Sequence, residues 1–373
     1  MKDKKILKDF LKYLEKDFDD RVRIKFVGLI NYYKTEVVKK EVSLKHPIQS
    51  ISTLTMPFTS EGFYSPLVDT AYVIEDKISL LKYKINSLTY NLTVAAHEAK
   101  HQQQERHFDY YNLYERFLLS MESILLNMDN SFYNHFHDFF FSEIDADLYA
   151  ALIVKEYKKT KNNKEIDSKY LDIMEKLNKD RFKLFNNSLL FERLYTVITK
   201  EYNKRDNDMD ICIDDIFYIS SIKDDEMYDY IRVLFNDDGT LKKYNELLEL
   251  HKDNMIDNNI LNMVLGSSCL VQNIDYENIN IEDLKKIYNL YRLNIELEKK
   301  QIQDVIKRKD ISKYRDDHIV GIIIYDSFNR FISKSLLTAT KRRLLKKEKL
   351  LQKLKYEINK KLKIKSNNNV KNK

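Results

Sequence analysis

Prolines are confined to one short stretch of this chain. Pro47, Pro57 and Pro66 all lie within twenty residues, so the 307 residues after Pro66 contain no proline that would interrupt a helix. The 373 residues also include only five glycines, too few for the many chain reversals of a β-sandwich or β-barrel. The sequence therefore predicts an α+β protein that is predominantly α-helical.

Two short segments near the N-terminus depart from the helical pattern. Residues 21–26 alternate charged and apolar side chains with period two, and Thr70–Ile74 form a β-prone run bounded by acids. The prolines lie in residues 45–66, which we expect to form a loop. These features predict a small N-terminal β-sheet. The helical spacing of apolar residues predicts helices over 87–106, 109–127, 134–159, 168–180, 183–204, 224–235, 240–251, 281–307, 318–338 and 341–363.

The segment with the strongest chemical signal contains the pattern HExxH. On a helix, His97 and His101 lie one turn apart on the same face and can bind one zinc ion. Glu98 points about 100° away from His97, which places it beside the metal and outside its ligand shell. We therefore expect Glu98 to act as a general base on a water that the metal activates.

A zinc site of this kind needs a third protein ligand, and a later helical segment offers two acids. Glu143 and Asp147 are again four residues apart and share a helix face. One of them can bind the metal while the other accepts a hydrogen bond from the outer N–H of a ligand histidine.

HExxH followed on a later helix by ExxAD resembles the gluzincin zinc metallopeptidases, the class to which thermolysin belongs. The resemblance covers residues 60–157 and implies that His97, His101 and Glu143 bind Zn²⁺, with Asp147 as partner of a ligand histidine. It also implies that Glu98 is the catalytic base and that an edge strand between Gly62 and Ile74 binds the substrate, a peptide or protein.

His107 is the alternative metal ligand. It stands ten residues after His97, the position of the last histidine in the metzincin pattern HExxHxxGxxH. That pattern uses glycine to break the helix, whereas this chain has Gln104 there, and glutamine favours helix. We therefore prefer Glu143 as the third ligand and keep His107 as the alternative.

The net charge of +6 is unevenly distributed. Residues 341–373 contain 14 Lys or Arg against two acids, so this tail is strongly basic and residues 1–340 carry a net −6. Leucines at helical spacing make residues 341–363 a basic amphipathic helix, followed by a polar end that we expect to be disordered. The helix could bind nucleic acid, an anionic membrane surface or an acidic partner, including the acidic body of this chain.

Together these features predict three regions: a zincin-like metallopeptidase domain at 1–160, a helical domain at 161–340 and the basic tail at 341–373. Two cysteines, the lack of a signal-peptide pattern and the lack of a transmembrane segment predict a cytoplasmic protein. We expect zinc-dependent hydrolysis of peptide bonds. The alternative is a non-catalytic helical binding or structural protein, associated with nucleic acid through its tail.

Overall fold

The computed structural model describes residues 2–39, 62–65, 68–74, 87–128, 139–205, 231–312 and 320–371. Most of these residues are helical, and three short strands form one sheet. The prediction of a predominantly helical α+β protein is therefore confirmed. The first half of the chain contains α1 (Lys2–Phe18), β1 (Ile24–Val27), α2 (Leu29–Tyr32), β2 (Gly62–Ser65), β3 (Thr70–Ile74), α3 (Ser87–Arg106), a 3-10 turn (Phe108–Tyr110), α4 (Leu113–Met128), α5 (Phe141–Thr160) and α6 (Ser168–Lys183). The second half contains α7 (Asn187–Arg205), α8 (Tyr244–Lys252), α9 (Asn258–Leu265), α10 (Ser268–Asn273), α11 (Ile281–Ser312) and α12 (Val320–Lys371).

The chain forms two compact units. The first contains residues 1–111 and 137–183, and the second contains residues 112–136 and 184–373. The first unit thus includes α6, beyond residue 160, and leaves out α4. The three regions bounded at residues 160 and 340 are a different division, and they stay a prediction.

The sheet of the first unit has β3 at its centre among the described strands. It pairs with β1 in parallel and with β2 in antiparallel orientation. Successive side chains of β3 point to opposite faces: Val73 joins the core that contains α3, while Tyr72 and Ile74 pack in a second apolar cluster. The predicted strand at Thr70–Ile74 is confirmed, but the predicted loop is wrong at Gly62–Ser65, which form β2. Pairing with β3 overrides the turn-like composition of that segment.

One apolar core joins the helices of the first unit. Side chains of α1, α3, α5 and α6 share this core, and α5 contacts both α3 and α6. Small side chains on the facing surfaces, including Ala95, Ala96, Ala99 and Ala150, are fully buried there. Because α3 and α5 pack closely, His97 and His101 of α3 contact Glu143 and Asp147 of α5.

In the second unit the basic tail belongs to α12, which packs along α11. Leu354 and Ile358 are buried, as the apolar spacing predicts. The predicted break between helices at 338 and 341 is wrong, since α12 runs without interruption through it and past residue 363 to Lys371. No glycine or proline follows Gly321, so nothing in the backbone chemistry ends the helix earlier.

None of the helices in the described ranges combines the length and the apolar character that crossing a membrane requires.

Candidate metal centre

The two histidines of HExxH lie on α3 and face the same point. Their Nε2 atoms are 3.0 Å apart, as the one-turn spacing predicts. Across the helix interface, the Glu143 carboxylate of α5 places one oxygen 3.3 Å from Nε2 of His97 and the other 3.3 Å from Nε2 of His101. The three side chains thus form a group that could hold a metal ion, as the sequence predicts.

The outer nitrogen of His97 is held by the second acid of α5. Nδ1 of His97 lies 2.9 Å from Oδ1 of Asp147, whose other oxygen accepts a hydrogen bond of 3.2 Å from Arg181 on α6. Arg181 also donates to the Asn178 side chain at 2.9 Å. An ionised carboxylate only accepts hydrogen bonds, so Nδ1 of His97 carries a proton.

The outer nitrogen of His101 is held by Gln104, one turn further along α3. The distance from Nδ1 to Oε1 of Gln104 is 2.8 Å. The amide group of Gln104 donates through Nε2 to the Ser142 carbonyl and to Asp145, at 3.0 and 3.1 Å. These two acceptors fix the orientation of the amide, so its oxygen faces His101 and Nδ1 of His101 is also protonated.

Both histidines therefore turn their Nε2 atoms to the same point. In neutral rings with protonated Nδ1, each Nε2 presents a lone pair, and these lone pairs face each other beside a carboxylate. Such an arrangement is repulsive unless a cation lies within it. The two Nε2 lone pairs and the carboxylate therefore favour a cation between them.

The pKa values of the two histidines are both shifted in the direction that favours a positive charge. Burial opposes a charge on His97, but hydrogen bonds with Asp147 and Glu143 outweigh it and raise the pKa of His97 well above its usual value. Burial likewise opposes a charge on His101, and the negative charge of Glu143 raises its pKa nonetheless. A proton and a metal ion compete for the same electron pairs.

Glu98 is buried beneath the first residue of β2. A Cβ atom built on Gly62 would lie 2.8 Å from Oε1 of Glu98 and 2.7 Å from Cγ1 of Val94. Only glycine allows the strand to approach α3 so closely. The candidate base therefore packs against a strand at the edge of the described sheet.

The structure places His107 apart from this group. It follows the end of α3, its Nε2 lies 3.2 Å from Asp20, and its ring stacks on Tyr110 at a centroid distance of 4.8 Å. Among the described residues, the group around His97 that could hold a metal ion consists of His97, His101 and Glu143.

Gln104 and Arg181 were not identified from the sequence as parts of the site. A signal for Gln104 existed, because residue i+3 from His101 lies on nearly the same helix face. Arg181 gave none, since its contact with Asp147 depends on how α6 packs on α5.

Comparisons with protein-family models, with curated proteins and with solved structures gave no significant match.

Proposed function

We propose that this chain is a zinc-dependent metallopeptidase of the gluzincin type, with a zincin-like first unit and Glu98 as its general base. The observation that carries the proposal is the convergence of two histidine Nε2 atoms and one carboxylate on a single point, with both outer nitrogens hydrogen-bonded. Outer partners of this kind are typical of histidines that bind metal ions.

The distances within the group suit zinc. Tetrahedral coordination with bonds of about 2.0–2.1 Å separates neighbouring ligand atoms by about 3.3 Å. The observed separations between ligand atoms are 3.0 Å for the two Nε2 atoms and 3.3 Å from each Nε2 to a Glu143 oxygen. Two imidazoles and one carboxylate are also a ligand set of catalytic zinc sites, which keep one position for water or substrate.

Zinc in such a site acts as a Lewis acid toward a carbonyl oxygen and a water molecule. The residues of the chain supply the remaining chemistry. Glu98 accepts the proton of the attacking water and then donates it to the leaving amine of the cleaved peptide bond. The Asp147 and Gln104 side chains keep both imidazoles in the tautomer that presents Nε2.

The neighbouring strand supports a peptide as substrate. Among the described strands, β2 has a neighbour on one side only, and its Gly62 packs on Glu98. An extended peptide that adds to this edge would pass close to the base. A peptide-binding role for β2 would explain why this strand approaches α3 so closely at Gly62.

The decisive experiment compares the wild-type protein with Glu98→Gln and with Glu105→Gln, an exposed position on the same helix. Zinc content is measured by atomic absorption, and hydrolysis is followed on an unstructured protein such as casein. We expect one zinc in all three proteins and loss of cleavage in Glu98→Gln alone. Absence of zinc from the wild type would refute the proposal. Zinc without cleavage by the wild type would favour the non-catalytic alternative.

A further inference from the structure

The second unit contains a cavity with a volume of about 760 Å³. It is lined by residues of α7, α10 and α12, which all belong to the second unit, whereas the residues of the candidate metal centre belong to the first. Its volume lies in the range of small-molecule binding sites, about 300–1,000 Å³. None of the residues proposed to act in peptide hydrolysis lines this cavity, so the cavity would have a separate role.

Positive side chains dominate the lining. Five cationic residues surround the cavity: Arg193, Lys200, Arg343, Lys346 and Lys347. Two carboxylates oppose them, Glu192 in the lining and Glu298 behind it, so the local net charge is +3. A concave surface with one dominant sign of charge concentrates its field and attracts ions of opposite sign.

The inner part of the cavity is rigidly organised. Lys347 is 2% exposed and its ammonium group lies 2.6 Å from Glu192 and 2.8 Å from Glu298. Arg343 donates to the same Glu298 through Nε at 2.8 Å. The carboxylate of Glu192 also accepts hydrogen bonds from the backbone and hydroxyl of Ser268, at 2.7 and 2.8 Å. The Glu192 and Glu298 carboxylates thus fix the positions of the side chains on the inner side of the cavity.

Two lysines in the lining of the cavity are exposed and can contact a ligand. Lys200 on α7 and Lys346 on α12 are both exposed, and no ion pair joins either of them to a carboxylate of the described residues. Two exposed ammonium groups on different helices that line one cavity can both contact an anion bound in it. Lysine and arginine are the usual partners of phosphate groups.

An apolar wall completes the cavity. Leu189 and Tyr195 of α7 and Leu350 of α12 line it together with the cations. A ligand that satisfies both parts has a multiply charged group and a ring or other apolar portion. Nucleotides and similar phosphorylated metabolites have this composition.

We propose that this cavity binds a phosphate-bearing small molecule of about nucleotide size. A small ligand is favoured over a nucleic acid because the cations converge on a concave space with an apolar wall. Polymeric nucleic acid is contacted instead along extended basic surfaces.

The test measures binding of ATP, pyrophosphate and inorganic phosphate to the full chain by isothermal titration calorimetry. The informative variant is Lys200→Gln/Lys346→Gln, because both side chains are exposed and their loss leaves the core intact. The matched control is Lys355→Gln, an exposed lysine nine residues along α12 from Lys346 and hence on the opposite face of that helix. Circular dichroism checks that all proteins remain folded.

We expect ATP to bind more tightly than pyrophosphate, and inorganic phosphate to bind most weakly. The double variant should weaken ATP binding by about tenfold or more, the loss expected from two charged contacts, while the control leaves it unchanged. Failure of all three probes to bind, or equal weakening by the control, would overturn the proposal. So would a short DNA duplex that binds more tightly than ATP with the same dependence on Lys200 and Lys346.

Discussion

Nδ1 of His97 lies 2.9 Å from Oδ1 of Asp147, although fifty residues separate the two in the chain. The contact joins α3 to α5 and fixes which nitrogen of His97 faces the interior of the candidate metal centre. Arg181 holds the other oxygen of Asp147 from α6. Three helices therefore determine the orientation of one imidazole ring.

Replacing Asp147 by Asn tests this relationship. The amide keeps the shape of the side chain but removes the charge that makes the imidazole a better ligand, and it leaves Arg181 without its anionic partner. We expect zinc affinity to fall by about 10–100-fold, the usual effect of losing an outer partner. Competition with a chromogenic chelator measures the affinity. Asp172→Asn, an exposed position on α6, should leave it unchanged.

Gln104 should matter to the site through His101. In Gln104→Leu the ring loses the acceptor for its Nδ1 proton, and the other tautomer becomes accessible. We expect a loss of zinc affinity of about tenfold or more, measured with the same chelator. Gln103→Leu is the matched control, since the side chain of Gln103 accepts a hydrogen bond from Lys100 on the same helix, whereas Nδ1 of His101 is paired with Gln104. An equal loss in both variants would show that Gln104 does not orient His101.

The choice between Glu143 and His107 as third ligand can be tested directly. Glu143 faces both Nε2 atoms, whereas His107 is paired with Asp20. Glu143→Ala should lower zinc affinity by more than about 100-fold, beyond the effect expected for an outer partner, and His107→Ala should change it less than about twofold. Bound zinc in the purified variants, measured by atomic absorption, decides the matter. The reverse result would make His107 the ligand.

Both halves of the candidate metal centre could be predicted from the sequence because each is a local pattern. His97 with His101, and Glu143 with Asp147, share faces through the helical period alone. Which acid meets which nitrogen depends on the packing of α3 on α5, and only the resemblance to gluzincins suggested the arrangement. Arg181 could not be predicted at all, since its role arises from a third helix.

In the basic tail, too, the sequence predicted the local pattern of the helix but not its contacts with distant residues. The spacing of Leu354 and Ile358 predicted an apolar face, and both side chains are buried. The same pattern could not show that Lys347 would be buried among them against Glu192 and Glu298. Acids more than a hundred residues apart in the chain meet there only after folding.

Gly62→Ala should affect catalysis more than metal binding. The added methyl group would lie 2.7 Å from Val94 and 2.8 Å from Glu98, so either β2 or the Glu98 side chain must move. Overpacking of this kind costs about 1–3 kcal/mol of unfolding free energy. We expect zinc to be retained while hydrolysis of casein decreases, because the added methyl group moves Glu98 or the strand beside it. Loss of zinc together with activity would mean that the strand supports the whole centre.

The stability of the second unit should depend on the ionisation of Glu298, which is fully buried. Burial opposes its charge, but Lys347 and Arg343 outweigh burial and hold its pKa below the usual value. A carboxyl with a lowered pKa contributes stability that is fully present above its unfolded pKa, about 4.3. That contribution is lost as the pH falls through the folded pKa. We therefore expect α11 to become less stable as the pH drops below about 4.3.

Glu298→Gln separates this contribution from the other effects of acid. The amide cannot ionise, and it leaves Arg343 and Lys347 with one carboxylate fewer, so we expect a loss of about 3–5 kcal/mol at neutral pH and a weaker dependence on pH below 4.3. Native-state hydrogen exchange of the α11 amides measures both. Glu348→Gln is the matched control, because Glu348 forms an exposed pair with Lys299 and should contribute less than about 1 kcal/mol. Equal effects of the two substitutions would show that burial of the ion pairs does not govern the stability of this unit.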